Sequence, residues 1–252
     1  MSRGLWIILL YPILLAAQNP YGGNATEADA GRGLFRIMCR PCHGIQAQGG
    51  RGPDLTLGDY NNGNSDQDLF RVIYHGVAGT EMPSYGARIG DDNVWRLVTY
   101  IRSLATRKEI PPPGDRAAGE AFFWNKGNCG GCHMVGERGG EMGPDLTRIG
   151  RKRSLDHLRQ ALVDPNADLS PGYYKISVLT KSGEKVVGTQ RNLDNFTAEL
   201  MTPDGKVHFF QREAVTSLKR EYTSMMPAYK NLAPQDMNNL LLYLLSLRGE
   251  NQ

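Results

Sequence analysis

One five-residue pattern occurs twice, as Cys-Arg-Pro-Cys-His at Cys39 to His43 and as Cys-Gly-Gly-Cys-His at Cys129 to His133, and together the copies use all four cysteines of the 252-residue chain. Two thiols separated by two residues can reach one edge of a flat ligand, and a histidine directly after the second thiol can reach a metal at that ligand's centre. This spacing is the attachment signature of c-type haem: the thiols add across the two vinyl groups and the imidazole takes the proximal side of the iron. A one-residue change in spacing breaks that geometry. Cysteine pairs also build four-thiolate zinc sites and redox dithiols, but here a histidine closes both copies although the chain has only five histidines. The expectation is two covalently bound haem c groups, attached through Cys39, Cys42, Cys129 and Cys132, with His43 and His133 on the irons.

The residues around each motif repeat as well, and repeats decide architecture before any local reading does. Gly-Pro-Asp-Leu-Thr follows each motif, at Gly52 to Thr56 and at Gly143 to Thr147. Further on stands Met-Pro-x-Tyr, at Met82 to Tyr85 and at Met226 to Tyr229. Each block closes on Tyr-x-x-Ser-Leu, at Tyr100 to Leu104 and Tyr243 to Leu247. The same elements in the same order mean a duplicated domain.

With these residues the chain resembles the class I cytochromes c over nearly all of its length beyond the N-terminus. In that family a helix with a glycine and aromatic pattern precedes the haem motif, and Gly31-Leu34-Phe35 and Gly119-Phe122-Phe123 occupy those places. The resemblance implies a mainly α fold of two tandem class I domains. It implies that the carbonyls of Pro53 and Pro144 accept the second ring N–H of the proximal histidines, a bond that orients the ring and tunes the metal. It assigns the distal iron positions to Met82 and Met226. Met225 competes at the second site, but proline follows Met226 as it follows Met82. Methionine is more often a core filler than a ligand, and the repeated motif is what favours ligation here. His75, His157 and His208 are the other conceivable distal ligands and are read as surface or structural residues.

Composition fits a globular protein. The net charge of +3 is too small for a nucleic-acid binder whose affinity rests on phosphate contacts. The basic cluster Arg148, Arg151, Lys152 and Arg153 reads as a solvated surface beside the second haem, with a docking patch for an acidic partner as the alternative. At the N-terminus a short cationic start precedes the apolar run Leu5 to Ala17, shorter than the roughly twenty residues of a membrane span. A secretory signal peptide over residues 1–18 is expected, with an uncleaved anchor as the other outcome. Either places the haem domains in the periplasm, where the family resemblance puts haem attachment.

The remaining boundaries follow from patterning. Residues 19–28 are polar and rich in Gly and Asn, and are expected to form a flexible leader before a first domain at 29–107. Its last helix presents Val94, Leu97, Val98, Ile101 and Leu104 on one face, with Asp91 as its expected N-cap. A linker at 108–115 contains Pro111-Pro112-Pro113-Gly114 and is stiffened by them. The second domain, 116–252, repeats the helical face as Met237, Leu240, Leu241, Leu244 and Leu247.

The second domain differs in one respect: the stretch from His133 to Met226 is more than twice as long as that from His43 to Met82. It begins with a helical run, Leu155 to Val163, stopped at Asp164-Pro165. The period then changes to strand-like runs at about 173–219, Tyr174 to Thr180, Lys185 to Gln190, Thr197 to Met201 and Val207 to Gln211, with Ala214 to Leu218 as a possible last strand. Ser182-Gly183 and Asp204-Gly205 between them are hairpin signals. A small barrel of the Sm-like kind is expected. The second domain also resembles a haem-binding domain family abundant in planctomycetes, verrucomicrobia and acidobacteria, through Gly143 to Thr147, Asp164-Pro165, Pro171-Gly172-Tyr173 and Ser224 to Pro227. That resemblance makes the insertion an integral part of the second haem domain without giving it a role; a lid over one haem edge and a docking surface for a redox partner are the two readings.

The function implied is a periplasmic dihaem electron carrier, or the cytochrome subunit of a larger redox complex. Its partners would be redox proteins: a quinol-oxidising complex, a periplasmic dehydrogenase, a terminal oxidase or another cytochrome. Histidine and methionine on both irons would leave no open position for a substrate. The alternative, a dihaem peroxidase, needs an open distal side with acid–base groups, for which Glu81 and His75 are the nearest candidates in sequence.

Overall fold

The computed structural model describes residues 18–105, 110–169 and 172–249; the expected signal peptide lies almost wholly outside them. The first block consists of α1 (Ala25–Met38), the single turn α2 (Arg40–His43), α3 (Asp66–His75) and α4 (Gly86–Leu104). Helix α1 starts where Asn24 caps it, accepting hydrogen bonds from the amides of Thr26 and Glu27. Ser65 and Asp68 form a reciprocal capping box at the start of α3. Helix α4 breaks at Gly90, whose φ is +75°, so its long apolar face begins just after the break, next to the Asp91 expected as its cap. That face, Val94, Leu97, Val98 and Ile101, is fully or almost fully buried with Phe35, Leu69 and Ile73.

Glycine decides where the terminal helices cross. A Cβ on Gly31 would stand 2.1 Å from the carbonyl oxygen of Arg96, so α1 and α4 touch backbone to backbone. Phe35 then meets Tyr100 with ring centroids 5.3 Å apart and planes at 58°. The second block repeats the crossing with α5 (Arg116–Trp124) and α8 (Pro234–Ser246). A Cβ on Gly119 would stand 1.9 Å from the carbonyl oxygen of Asn239, and Phe123 meets Tyr243 at 5.4 Å and 58°. Between these two helices lie a short hairpin, β1 (Met134–Val135) with β2 (Arg138–Gly139), and the helices α6 (Ile149–Lys152) and α7 (Leu155–Val163).

The segment expected to be a flexible leader is held in place. The Asn19 amide donates to Asp66 at 2.9 Å and to Thr99 at 3.1 Å, Arg96 lies over the ring of Tyr21, and α1 begins inside the segment. The small side chains of a Gly/Asn-rich stretch gave no hint of these partners.

The insertion is all strand: β3 (Lys175–Thr180), β4 (Lys185–Leu193), β5 (Thr197–Met201), β6 (Val207–Gln211) and β7 (Val215–Glu221). The order across the sheet is β6-β5-β4-β3-β7, all antiparallel, so the last strand returns to pair with the first. Gly183 and Gly205 turn the hairpins with φ of +87° and +80°. The expected closed barrel is not present: among the described residues the sheet is open, with no ladder joining β6 to β7. One extra residue in β7, Thr216 opposite Leu179/Thr180, and one in β4, Arg191, bend those two strands. The bend brings Phe210 of one edge and Val215 and Leu218 of the other against the same core of Ile176, Val178, Val186 and Leu200. The two edge strands are joined by a 3-10 turn, Arg212–Ala214, which carries the chain across the open end instead of pairing it.

Candidate haem sites

Each Cys-x-x-Cys-His segment is one tight helical turn. The amide of His43 donates to the carbonyl of Cys39 at 2.9 Å, and the amide of His133 does the same to Cys129 at 2.9 Å. The turn places both thiols of a pair on one side with the imidazole beyond them. Gly52 then donates to the carbonyl of Cys42, and Gly143 to that of Cys132, each at 2.8 Å. These bonds lay the Gly-Pro-Asp-Leu-Thr segment across the histidine ring: a Cβ on Gly52 would come within 2.7 Å of His43, and one on Gly143 within 2.6 Å of His133.

In that position the proline carbonyls meet the rings. His43 Nδ1 lies 2.9 Å from the Pro53 oxygen, and His133 Nδ1 lies 2.8 Å from the Pro144 oxygen. A carbonyl only accepts, so each bond fixes the proton on Nδ1 and leaves the Nε2 lone pair for a metal. Desolvation lowers the pKa of both histidines, more than the carbonyls raise it. Neutral imidazole is the ligand form.

The methionines are presented by matched loops. The amide of Met82 donates to the Thr80 hydroxyl at 3.2 Å, and that of Met226 to the Ser224 hydroxyl at 3.0 Å. Tyr85 then donates its hydroxyl to the carbonyl of Met38 at 3.2 Å, and Tyr229 to that of Gly127 at 2.7 Å, tying each methionine loop to the approach to its cysteine motif. By this correspondence the counterpart of Met225 is Glu81, not Met82. Met82 packs on the first core and Met226 on the second.

In the second block these parts enclose a cavity of about 580 Å³, within the range of roughly 300–1,000 Å³ for cofactor sites. Cys129, Cys132, His133, Met225 and Met226 line it, with Phe123, Leu158, Leu162, Leu240 and Leu244 as apolar wall. The donor set suits haem: a neutral imidazole, a thioether and two thiols around an apolar slot. It does not suit zinc. Burial raises the pKa of Cys129 and Cys132 and, helped by Cys42, pushes Cys39 up to about 12. The two cysteine pairs stand in different blocks, and among the described residues no three His, Cys, Asp or Glu side chains converge.

Several residues of this wall were not expected. Tyr173 and Thr189 bring the base of the inserted sheet to the cavity, and His157, read as surface or structural, stands in its wall near Asp168. Arg51 and Glu81 reach it from the first block as an ion pair. The pair spans from the segment before Pro53 to the residue before Met82. Pairing with Arg51 engages Glu81, while His75 is exposed at the end of α3, packed edge-on against Tyr74. His208 stacks on Phe210 in the sheet.

Part of the basic cluster is an internal contact, through the side chains of Arg151 and Arg153 and the Lys152 carbonyl, while Arg148 is exposed. Arg153 donates to the carbonyls of Gly52, at 2.7 Å, and Gly50. The Asp54 amide donates to the Lys152 carbonyl at 2.9 Å, and Arg151 and Arg248 pair with Asp59. Asp54 is consequently 0% exposed, whereas Asp145, at the same place in the second copy, is exposed.

A family profile described as cytochrome c oxidase, cbb3-type, subunit III matches residues 26–101, and the cytochrome c profile matches residues 116–199. Cytochrome c55X of Stutzerimonas stutzeri is 32% identical over 101 residues, which cover 40% of this chain and 85% of that protein. The chain belongs to the cytochrome c family, as two class I domains in tandem. The cbb3-type cytochrome c oxidase subunit FixP of Sinorhizobium medicae is 32% identical over 129 residues, 47% of this chain and 43% of the relative; the chain thus matches less than half of that protein's length. Among solved structures, cytochrome cL of Methylophaga aminisulfidivorans is 30% identical, covering 34% of this chain and 58% of its own, with a TM-score of 0.31.

Proposed function

We propose that the chain is a dihaem c-type cytochrome that passes single electrons between protein partners on the exported side of a membrane. The observation that carries this reading is the twofold recurrence of one ligand geometry, His43–Pro53 with Met82 and His133–Pro144 with Met226. Each haem, when bound, supplies an iron that gains and loses one electron. Cys39, Cys42, Cys129 and Cys132 hold the two groups, Pro53 and Pro144 orient the imidazoles, and Tyr85 and Tyr229 hold the methionine loops closed. With His43 and Met82 on one iron and His133 and Met226 on the other, no place would remain for a substrate, and methionine would raise the potential relative to a second histidine. The FixP relatives are subunits of cbb3-type oxidases, which favours a terminal oxidase over another cytochrome as acceptor, with a quinol-oxidising complex or a periplasmic dehydrogenase on the donor side. No helix among the described residues is long and apolar enough to cross a membrane.

The test is stoichiometric and spectroscopic. Purified from a host with cytochrome c maturation, the protein should hold two haems per chain after denaturation, and Cys42→Ala or Cys132→Ala should remove the one at its own site. The oxidised protein should show the weak long-wavelength band of methionine-ligated ferric haem. Met82→Ala and Met226→Ala should each remove about half of it and Met225→Ala none. A single haem per chain, or haem lost on denaturation, contradicts the reading.

A further inference from the structure

The two blocks meet at a point that serves neither domain's own core. Helix α6 ends at Lys152, and the next residue, Arg153, turns its guanidinium into the first block, where it donates to the carbonyls of Gly50 and Gly52. Gly52 is the residue whose backbone lies on the His43 ring, and Pro53, directly after it, accepts the His43 Nδ1 hydrogen. Gly49 adopts a φ of +95°, and a Cβ there would stand 3.2 Å from the Arg153 guanidinium, so the loop is shaped around this side chain. The same Arg153 also lines the cavity that holds His133, Cys129, Cys132 and Met226. One guanidinium thus touches the segment that orients the first proximal histidine and the wall of the second site.

We propose that Arg153 is a positioning residue shared by both sites, whose fixed positive charge raises the reduction potential of the first haem and, to a smaller extent, of the second. The inference rests on the dihaem reading above. A cation in a desolvated position favours the less positive, reduced state of a nearby iron, and the effect is much stronger than in water. Burial, hydrogen bonding around the ligands and local charge are the levers by which such sites are tuned. The groups facing Arg153 come from both blocks: Asp54 from the first, and Asp168 and His157 from the second. The Arg51–Glu81 ion pair also faces the second cavity. The Asp54 Oδ2 atom is buried without a hydrogen-bond partner, so this carboxylate relies on nearby positive charge. Removing the guanidinium would uncover Asp54 beside the His43 loop, which adds to the loss of the cation.

Charge and clamp are separable because lysine keeps the charge but lacks the fork that spans two carbonyls. The experiment is a redox titration of the dihaem holoprotein as wild type, Arg153→Lys, Arg153→Met and Asp54→Asn, with haem content and the methionine band recorded for each. The expected result is a lower midpoint for the haem at His43 in Arg153→Met, a smaller drop at the other site, and substantial recovery of both in Arg153→Lys. Asp54→Asn, which removes the negative charge and keeps the arginine, should shift the first midpoint upward and supplies the test even where Arg153→Met fails to fold. Unchanged midpoints in Arg153→Met or, where that variant does not fold, in Asp54→Asn would overturn the inference. So would equal shifts in Arg153→Lys and Arg153→Met, which would make the residue a clamp only. A wild type lacking two haems would instead sink the underlying dihaem reading.

Discussion

The hydroxyl of Tyr229 donates to the Gly127 carbonyl across 2.7 Å, and this one bond joins the loop that carries Met226 to the turn that leads into Cys129. Burial and the neighbouring Cys129 push the Tyr229 hydroxyl up to about 12, so it remains a donor at any ordinary pH. Tyr229→Phe should cost about 1 kcal/mol of stability. It should also lower the pH at which the oxidised protein loses its methionine band, with half of the band lost early and half retained. An unchanged pH profile would show that the bond does not hold the loop.

Helix crossing gives a second expectation. Gly31→Ala or Gly119→Ala drives a methyl group into the backbone of the facing helix, at Arg96 or Asn239, and overpacking of this kind costs about 1–3 kcal/mol. Thermal unfolding should show the loss, with haem incorporation reduced in the altered block first. Equal haem content at both sites with an unchanged midpoint temperature would contradict the crossing.

His157 predicts an acid sensitivity. Desolvation and Arg153 lower its pKa, with Asp168 opposing, so the unfolded chain binds this proton more readily than the folded one. Stability from this residue is therefore intact above about pH 6.5, the ordinary histidine value, and declines as pH falls below it until the folded form also protonates. In the holoprotein, where iron occupies His43 and His133, His157→Gln should flatten the fall in denaturation midpoint between neutral and mildly acid pH. An unaltered slope would place the titration elsewhere.

The inserted sheet is tied at its base, where the Lys175 amide donates to the Thr223 carbonyl at 3.0 Å. A short linker can therefore replace residues 174–222. The shortened protein should still bind two haems, with the spectrum of the second perturbed because the Thr189 part of the wall is gone, the first unchanged, and neither open to carbon monoxide because Met82 and Met226 remain. Carbon monoxide binding by the wild type, or loss of the first haem in the shortened protein, would argue against this division.

What the sequence shows and hides divides along a physical line. The haem motifs and the apolar faces of α4 and α8 were legible because each depends on side-chain type at fixed spacing. So were α7, at Leu155–Val163, and the turns at Gly183 and Gly205. Sheet closure was not legible, because it depends on two local irregularities and one 3-10 turn that the alternation of residues does not encode. Nor was the docking of the blocks. Arg153 binds the carbonyls of Gly50 and Gly52, and Asp54 meets Lys152 through main chain; backbone partners leave no trace in residue identity, so Arg153 read as one more surface cation. Asn19 escaped notice for a similar reason, since its partners Asp66 and Thr99 are remote in sequence.

The unequal fate of Asp54 and Asp145 bears on how a gene duplication ages. Two copies of one module begin interchangeable, and either order along the chain would serve. The end of α6 covers Asp54 while Asp145 is exposed, so here the two copies are not interchangeable. Swapping the blocks would leave a carboxylate shaped for burial facing solvent and an arginine with no carbonyls to grip. The motifs keep the symmetry of the repeat, and the contact between the blocks does not share it.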